Sequence, residues 1–144
     1  MTQLNIPTTS IASPITGNDQ ANTLNGNHLD DLIFAGAGDD TLSGGAGDDI
    51  LSGGSGLDIL YGGAGADVFV IDSGAEQDRI MDFELGTDRI DLSRWGMIYH
   101  PSALTITSVT GGATIGFQGN SLQILTEDGS ALTAADLTID NFIF

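Results

Sequence analysis

The sequence has no cysteine and no lysine, and three arginines supply all of its basic side chains. The absence of cysteine excludes disulfides and thiolate metal sites. Twenty acidic residues give a net charge of −17. This charge excludes binding to nucleic acid or to an anionic membrane surface, because both need Lys and Arg. No apolar run approaches the length of a membrane-spanning helix, so we expect no membrane insertion.

Glycine and aspartate are instead abundant, and they recur with a nine-residue period. Residues 17–70 divide without a gap into GNDQANTLN, GNHLDDLIF, AGAGDDTLS, GGAGDDILS, GGSGLDILY and GGAGADVFV. The last three follow G-G-x-G-x-D-x-U-x throughout, where U is a large apolar residue. The third departs from this pattern only at Ala35, whereas the first two are looser and the first has Asn22 in place of the acid.

This repeat predicts strands and turns. Its glycine density excludes helix, since each interior glycine costs about 1 kcal/mol. Each repeat is predicted to form a six-residue turn and a three-residue strand whose middle side chain points inward, so that two repeats complete one coil. The buried row would be Leu24, Ile33, Leu42, Leu51, Leu60 and Phe69. The predicted fold is all-β, a right-handed parallel β-roll followed by a β-rich C-terminal cap.

Three segments follow from this interpretation. Residues 1–16 are predicted as a lead-in or cap strand, 17–70 as the roll, and 71–144 as the C-terminal β cap. Within the cap, the pattern predicts a strand–turn–strand over 78–93, strands over 104–109, 113–117 and 121–125, and a final strand over 138–144. Trp95, Met97 and Tyr99 are predicted to pack inside this cap.

The sixth-place acids indicate a metal. The roll would stack Asp40 and Asp58 along one edge, and a second column of acids, Asp31, Asp49 and Asp67, along the other edge. Stacked carboxylates repel each other unless a cation lies between them. Ca²⁺ takes six or more oxygen ligands, carboxylate and carbonyl together, whereas Mg²⁺ retains its waters and Zn²⁺ prefers His or Cys. We therefore predict calcium, with about four or more ions.

The repeats resemble the RTX, or hemolysin-type, calcium-binding repeats. Residues 78–93, DRIMDFELGTDRIDLS, also resemble the stretch after the repeats in serralysin-type secreted metalloproteases and in the R-modules of alginate epimerases. The end of the chain, DNFIF, resembles the tail of type I secretion substrates, although Asn141 interrupts the pattern. The RTX resemblance implies that one turn and the turn two repeats later clasp one Ca²⁺. The earlier turn contributes its second- and fourth-place carbonyls, the later turn its first- and third-place carbonyls, and both contribute the sixth-place acid.

Carried onto this chain, the resemblance implies four ligand sets, the last of which departs from the family because Asn22 is neutral. They are Gly36, Gly38 and Asp40 with Gly53, Ser55 and Asp58; Gly45, Gly47 and Asp49 with Gly62, Ala64 and Asp67; Asn27, Leu29 and Asp31 with Gly44, Ala46 and Asp49; and Asn18, Gln20 and Asn22 with Ala35, Ala37 and Asp40. Two further half-sites need partners from beyond the repeats. These half-sites are Gly54, Gly56 and Asp58, and Gly63, Gly65 and Asp67, and the candidate partners are Asp72, Glu76, Asp78 and Asp88.

The sequence contains no H-E-x-x-H helix, G-x-S-x-G elbow or phosphate-binding loop, so we expect no enzyme and no catalytic residue. The leading hypothesis is a secreted calcium-binding protein that leaves the cell through the type I secretion machinery and folds on extracellular Ca²⁺. One alternative is the non-catalytic C-terminal module of a larger secreted protease or polysaccharide epimerase. Another is an extracellular adhesion or matrix protein with a polysaccharide or surface partner.

Overall fold

The computed structural model describes residues 14–74 and 76–144, and these residues form strands and 3-10 turns but no α-helix. The strands are β1 (Ile15–Thr16), β2 (Thr23–Asn25), β3 (Leu32–Ala37), β4 (Thr41–Ala46), β5 (Ile50–Ser55), β6 (Ile59–Ala64), β7 (Val68–Val70), β8 (Gln77–Phe83), β9 (Arg89–Asp91), β10 (Thr105–Val109), β11 (Gly112–Phe117), β12 (Asn120–Thr126) and β13 (Phe142–Ile143). The 3-10 turns are Ser93–Trp95, Pro101–Ala103 and Ile139–Asn141. Most of the predicted lead-in strand, residues 1–13, lies outside the described residues.

Alternate strands lie in two facing sheets. One sheet has the order β1-β3-β5-β7-β9-β13, and the other has the order β10-β11-β12-β8-β6-β4-β2. Ile33 pairs in parallel with Leu51, and Leu42 pairs in parallel with Leu60, so each strand lies on the strand two repeats earlier. Two repeats therefore make one coil, and the predicted parallel β-roll is confirmed.

The eighth-place side chains fill the space between the two sheets. Ile33, Leu42, Leu51, Leu60 and Phe69 are fully buried. Leu24 packs against this core but is only partly buried, because it lies on the outermost strand of its sheet. The inward row follows from strand geometry, since side chains of a strand alternate between its two faces.

The sequence repeat ends at Val70, but the roll continues beyond it. Phe69 pairs in parallel with Ile90, and Leu60 pairs in parallel with Ile80. These pairs are 21 and 20 residues apart rather than 18, because the loops before β8 and β9 are longer than the repeat turns. Strands β12 and β13 then pair in parallel with β8 and β9. The predicted roll boundary at residue 70 is therefore too early, since part of the predicted cap forms further layers of the roll.

The rest of the C-terminal segment extends one sheet. Strands β10, β11 and β12 pair antiparallel, in agreement with the three strands expected there. Trp95 is buried, as expected, but Met97 and Tyr99 are each 79% exposed, so the packing predicted for these two residues is wrong. In the part of the chain that the structure describes, no helix is long and apolar enough to span a bilayer.

Candidate metal-binding turns

The sixth-place acids lie inside the roll and not in solvent. Asp31, Asp40, Asp49, Asp58 and Asp67 are all at most 3% exposed. Along one edge, the Asp31 N–H donates to Asp49 Oδ1 at 2.7 Å, and the Asp49 N–H donates to Asp67 Oδ1 at 2.9 Å. These bonds hold the carboxylates of successive coils in a column, so their negative charges stack.

The other edge carries a second column with the same geometry. The Asn22 N–H donates to Asp40 Oδ1 at 2.6 Å, and the Asp40 N–H donates to Asp58 Oδ1 at 2.9 Å. Asp78 extends this column, because its Oδ1 accepts the Asp58 N–H at 3.1 Å.

The first column also continues past the repeats. The Asp67 N–H donates to Asp88 Oδ1 at 3.1 Å. Asp78 and Asp88 therefore occupy the column positions that follow the repeats, whereas Asp72 and Glu76 lie outside both columns. The structure thus separates four candidates that the sequence pattern left equivalent.

Each acid in the middle of the columns keeps one oxygen without a partner. Among the described residues, Oδ2 of Asp40, Asp49, Asp58 and Asp67 is buried and accepts no hydrogen bond. Burial, with repulsion between neighbouring acids, raises the pKa of Asp58 to about 6 and that of Asp67 to about 7. A buried, unpaired carboxylate oxygen is costly unless a positive charge faces it. In their ionised form, these carboxylates favour a cation beside them.

First-place glycines let the oxygens of two turns approach the backbone closely. A Cβ on Gly44 would overlap Asp49 Oδ2 and would lie 2.6 Å from Gly62 O. A Cβ on Gly26 would overlap Gly44 O and would lie 2.6 Å from Asp31 Oδ2. A carboxylate oxygen of one turn and a carbonyl oxygen of the turn above therefore converge where a side chain is absent. This donor set is the one that Ca²⁺ prefers, so the residues present fit the predicted ion.

Backbone hydrogen bonds bring the predicted carbonyl ligands of consecutive turns together. The Gly47 N–H donates to Ala64 O at 2.9 Å, and the Ala46 N–H donates to Asn27 O at 2.9 Å. Gly47 has a φ of 118°, a conformation that favours glycine. Each bonded carbonyl retains a second lone pair for a metal. The turns that make up each predicted ligand set therefore face each other at one edge of the roll.

The first coil differs from the coils above it. Asn22 Oδ1 accepts the Asn18 N–H at 2.8 Å. Asp31 Oδ2 accepts the Asn27 N–H at 2.7 Å, and its Oδ1 accepts the Asn27 side-chain amide at 3.0 Å. Neither Asn22 nor Asp31 therefore offers the unpartnered oxygen found higher in the roll. The sets built on Asp40, Asp49, Asp58 and Asp67 fit calcium best.

A second ladder of acids, at the fifth place, was not predicted. Asp30 Oδ1 accepts the Asp48 N–H at 2.9 Å, and Asp39 Oδ1 accepts the Leu57 N–H at 3.0 Å. Asp48 Oδ1 accepts the Ala66 N–H at 2.8 Å. These exposed acids bond to the coil above, whereas the buried acids bond to the coil below. The Asp-Asp doublets in repeats two, three and four were the available sequence signal.

Asp82 also makes hydrogen bonds that the sequence did not suggest. Its two carboxylate oxygens accept the N–H groups of Gly62 at 2.9 Å and Gly63 at 3.0 Å. Asp88 Oδ2 accepts the Glu84 N–H at 2.8 Å. Side-chain hydrogen bonds therefore close the loop 82–88, both within itself and onto the turn below it.

The predicted donors of these turns are mainly backbone oxygens. Within residues 14–74 and 76–144, no three His, Asp or Glu side chains converge as a conventional metal cluster. A family model of the RTX calcium-binding nonapeptide repeat, in four copies, matches residues 16–51, 29–60 and 43–80. Residues 16–80 thus match the RTX calcium-binding repeat. Most of the buried acid columns lie within this matched segment, and the family model describes a calcium-binding repeat.

Similar solved structures cover more than the RTX repeats. The solution structure of the AlgE6R2 subunit from the Azotobacter vinelandii mannuronan C5-epimerase is 27% identical, with a TM-score of 0.71, and the match covers 92% of each chain. The AlgE6R3 subunit of the same enzyme is 28% identical, with a TM-score of 0.58, over 92% of this chain and 82% of that chain. No curated protein sequence matches the chain significantly. The structural similarity therefore includes most of the C-terminal segment.

Proposed function

We propose that this RTX chain leaves the cell unfolded through the type I secretion machinery and folds outside it when Ca²⁺ occupies the turns. The observation that carries the proposal is the set of four buried carboxylate oxygens without a partner, stacked in two columns. These oxygens oppose closure of the roll in the absence of a cation. The ions would lie at the four ligand sets implied by the family resemblance.

Calcium binding of this kind is coupled to folding. A ligand that binds only the folded state stabilises it by about 2.7 kcal/mol when its concentration is a hundred times its Kd. Because every coil shares its acids with the coils above and below, each ion favours binding of the next. Extracellular calcium modules bind with Kd values of about 10⁻⁴ to 10⁻³ M, so such a roll would close outside the cell and stay open within it.

The C-terminal tail supports export before folding. Phe142 pairs with Ile90 in the last layer of the roll and is 3% exposed. Asn141, beside it, is also buried. A secretion machinery that recognises this tail would have access to it only while the roll is open. Deletion of residues 142–144 is expected to abolish export in a host that carries a type I exporter.

Circular dichroism with and without calcium tests the folding step. We expect a coil spectrum in chelator and a β spectrum after addition of Ca²⁺. Mg²⁺ at the same concentration is the matched control, and it should leave the chain largely unfolded because it dehydrates reluctantly. A β-rich spectrum in the metal-free chain at about pH 7.5, where the buried acids are ionised, would contradict the proposal.

A second function is favoured by the structural comparison. The chain aligns with 92% of the AlgE6R2 subunit, which comes from a mannuronan C5-epimerase. A non-catalytic calcium-binding module of a larger exported enzyme would have the same fold and the same metal dependence. A reading frame that continues from this chain into a catalytic domain would select this second function.

A further inference from the structure

Asn25 and Gly26 form the single Asn-Gly pair of the chain, where β2 ends and the second repeat begins. In such a pair, the main-chain nitrogen of glycine can attack the side-chain amide carbon of asparagine, because glycine has no Cβ to obstruct the approach. Every other asparagine precedes a residue that carries a side chain. Asn25 is therefore the asparagine of this chain that is most open to such an attack.

The reaction needs no co-reactant other than water. A bond forms between Gly26 N and Asn25 Cγ, the bond between Cγ and Nδ2 breaks, and Nδ2 leaves as ammonia with the proton from Gly26 N. Water then opens the resulting five-membered succinimide ring. Opening at Cγ gives aspartate, whereas opening at the main-chain carbonyl carbon gives isoaspartate, in which the main chain runs through Cβ and Cγ.

The closed roll opposes the first step. Ring closure requires Gly26 N to be eclipsed with Asn25 Cβ about the bond between Cα and the carbonyl carbon. Asn25 pairs in parallel with Ser43, and the ψ of about +115° in a parallel strand turns that nitrogen away from Cβ. The Gly26 N–H also donates to Ser43 O at 2.7 Å, so the attacking nitrogen is held in the sheet.

Contacts around Gly26 prevent the segment from adjusting. A Cβ at this position would overlap Gly44 O and would lie 2.6 Å from Asp31 Oδ2, so the backbone is closely surrounded. The Asn25 side chain is nevertheless exposed, and water can reach its amide. The conformation of the strand, and not the exclusion of water, therefore protects Asn25 in the closed roll.

The first coil must open before the pair can react. Strand β2 has three residues and is the outermost strand of its sheet, and Leu24 within it is only partly buried. Short strands at the end of a fold open at a lower free energy than the core strands. Opening of this one coil, without unfolding of the rest of the roll, is enough to free Gly26 N.

Isoaspartate at position 25 would be incompatible with the first coil. The added Cβ lengthens the main chain by about 1.5 Å, nearly half of the rise of one strand residue. The Gly26 N–H would then no longer face Ser43 O, and the pairing of β2 with β4 would be lost. Aspartate, in contrast, would add only a negative charge at an exposed position.

We propose that Asn25–Gly26 is a spontaneous modification site, which converts to aspartate and isoaspartate while the first coil is open and is preserved once calcium closes the roll. A chain that meets calcium late would then be unable to rebuild its first coil. The inference rests on the proposed calcium-dependent folding.

Peptide mass spectrometry of the chain, aged at mildly alkaline pH in chelator or in Ca²⁺, tests the proposal. We expect conversion at Asn25 to be faster in chelator by about tenfold or more, because only the open coil reacts. Asn120, which precedes Ser121, is the internal control and should convert much more slowly than Asn25 in chelator. Asn25→Gln should not react, because its longer side chain would have to close a larger ring, and it should fold in calcium like the wild type.

Hydrogen exchange tests the consequence for the first coil. The Thr41 N–H donates to Asn22 O at 3.0 Å, so its protection reports the closure of this coil. After ageing in chelator and return to calcium, we expect the wild-type chain to lose protection at Thr41 and the Asn25→Gln variant to keep it. Freshly prepared Asn25→Asp, which adds only the charge, should also keep it.

The failures of the two proposals are distinguishable. Equal conversion of Asn25 in chelator and in calcium, in a chain whose circular dichroism shows calcium-dependent folding, would overturn this inference and leave the proposed function intact. Full protection of Thr41 in a chain that contains isoaspartate at position 25 would refute the loss of the coil. A chain whose spectrum does not respond to calcium would overturn the proposed function, and this inference with it.

Discussion

Four buried acids make the stability of the calcium-free roll depend on pH. Burial raises the pKa of Asp58 and Asp88 to about 6, and the pKa of Asp67 and Asp78 to about 7, from an ordinary value of 3.8. The folded state therefore binds protons more tightly than the unfolded chain. The resulting penalty is absent below about pH 4, grows as the pH rises, and is complete above about pH 7.

The size of this penalty is comparable with the stability of a whole domain. One pKa unit corresponds to about 1.4 kcal/mol, so each of the four acids costs about 3 to 4 kcal/mol when it is ionised in the calcium-free fold. Because neighbouring acids share their mutual repulsion, the total is about 10 kcal/mol, against a typical net stability of about 5 to 15 kcal/mol. We expect the calcium-free chain to be a coil at about pH 7.5 and to gain β structure as the pH falls to about 5.

Far-UV circular dichroism and Trp95 fluorescence of the calcium-depleted chain would follow this transition. Measurements must stay above the isoelectric point of about 4.1 and be checked for aggregation by size-exclusion chromatography. The double substitution Asp58→Asn and Asp67→Asn should move the midpoint to higher pH, because Asn keeps the Oδ1 acceptor but never ionises. Asp140→Asn is the control, since Asp140 is exposed. A chain that stays a coil at about pH 5, or a double variant with an unchanged midpoint, would refute the reasoning.

Two further predictions concern the packing of the calcium-loaded roll. Gly44→Ala should destabilise it by about 1 to 3 kcal/mol in urea unfolding, because the added methyl overlaps Asp49 Oδ2. Gly116→Ala should have little effect, because its methyl would make only ordinary contacts, the nearest at 3.7 Å from Asn120 O. Equal losses would contradict the close approach of Asp49 to Gly44. Leu51→Ala should cost about 2 to 5 kcal/mol, because this side chain is fully buried, and its exposed neighbour Ile50→Ala should cost much less; similar losses would contradict the assigned inward row.

The roll could be predicted because the same structural positions recur in every nine-residue repeat. A nine-residue period fixes which side chain points inward, so the repeat alone assigns Leu42, Leu51 and Leu60 to the core. The same period places Asp40 under Asp58, and stacked acids indicate a cation. Both conclusions use only local spacing, which is why they needed no information about distant contacts.

The layers beyond Val70 could not be predicted in the same way. Ile80 and Ile90 lie 20 and 21 residues after their partners in the sheets, so the regular spacing that identifies a coil is lost. Ile124 lies on Ile80 only because burial of both side chains favours that long-range pairing. The role of Asp78 depends on the same change of spacing, and sequence alone therefore left it equivalent to Asp72.

The Asp-Asp doublets explain where the repeats stop. The exposed fifth-place acids Asp30, Asp39 and Asp48 each accept an N–H from the coil above, 18 residues later. The acid can meet this N–H donor only where the next turn has the same length. In the fifth and sixth repeats the turns above are longer, and the fifth place holds Leu57 and Ala66 instead of an acid. The buried columns of acids continue past this point. Each acid in a column needs a partner in the adjacent layer, whatever the length of the loop between the two layers. The outer ladder thus depends on regular turns, whereas the inner columns do not.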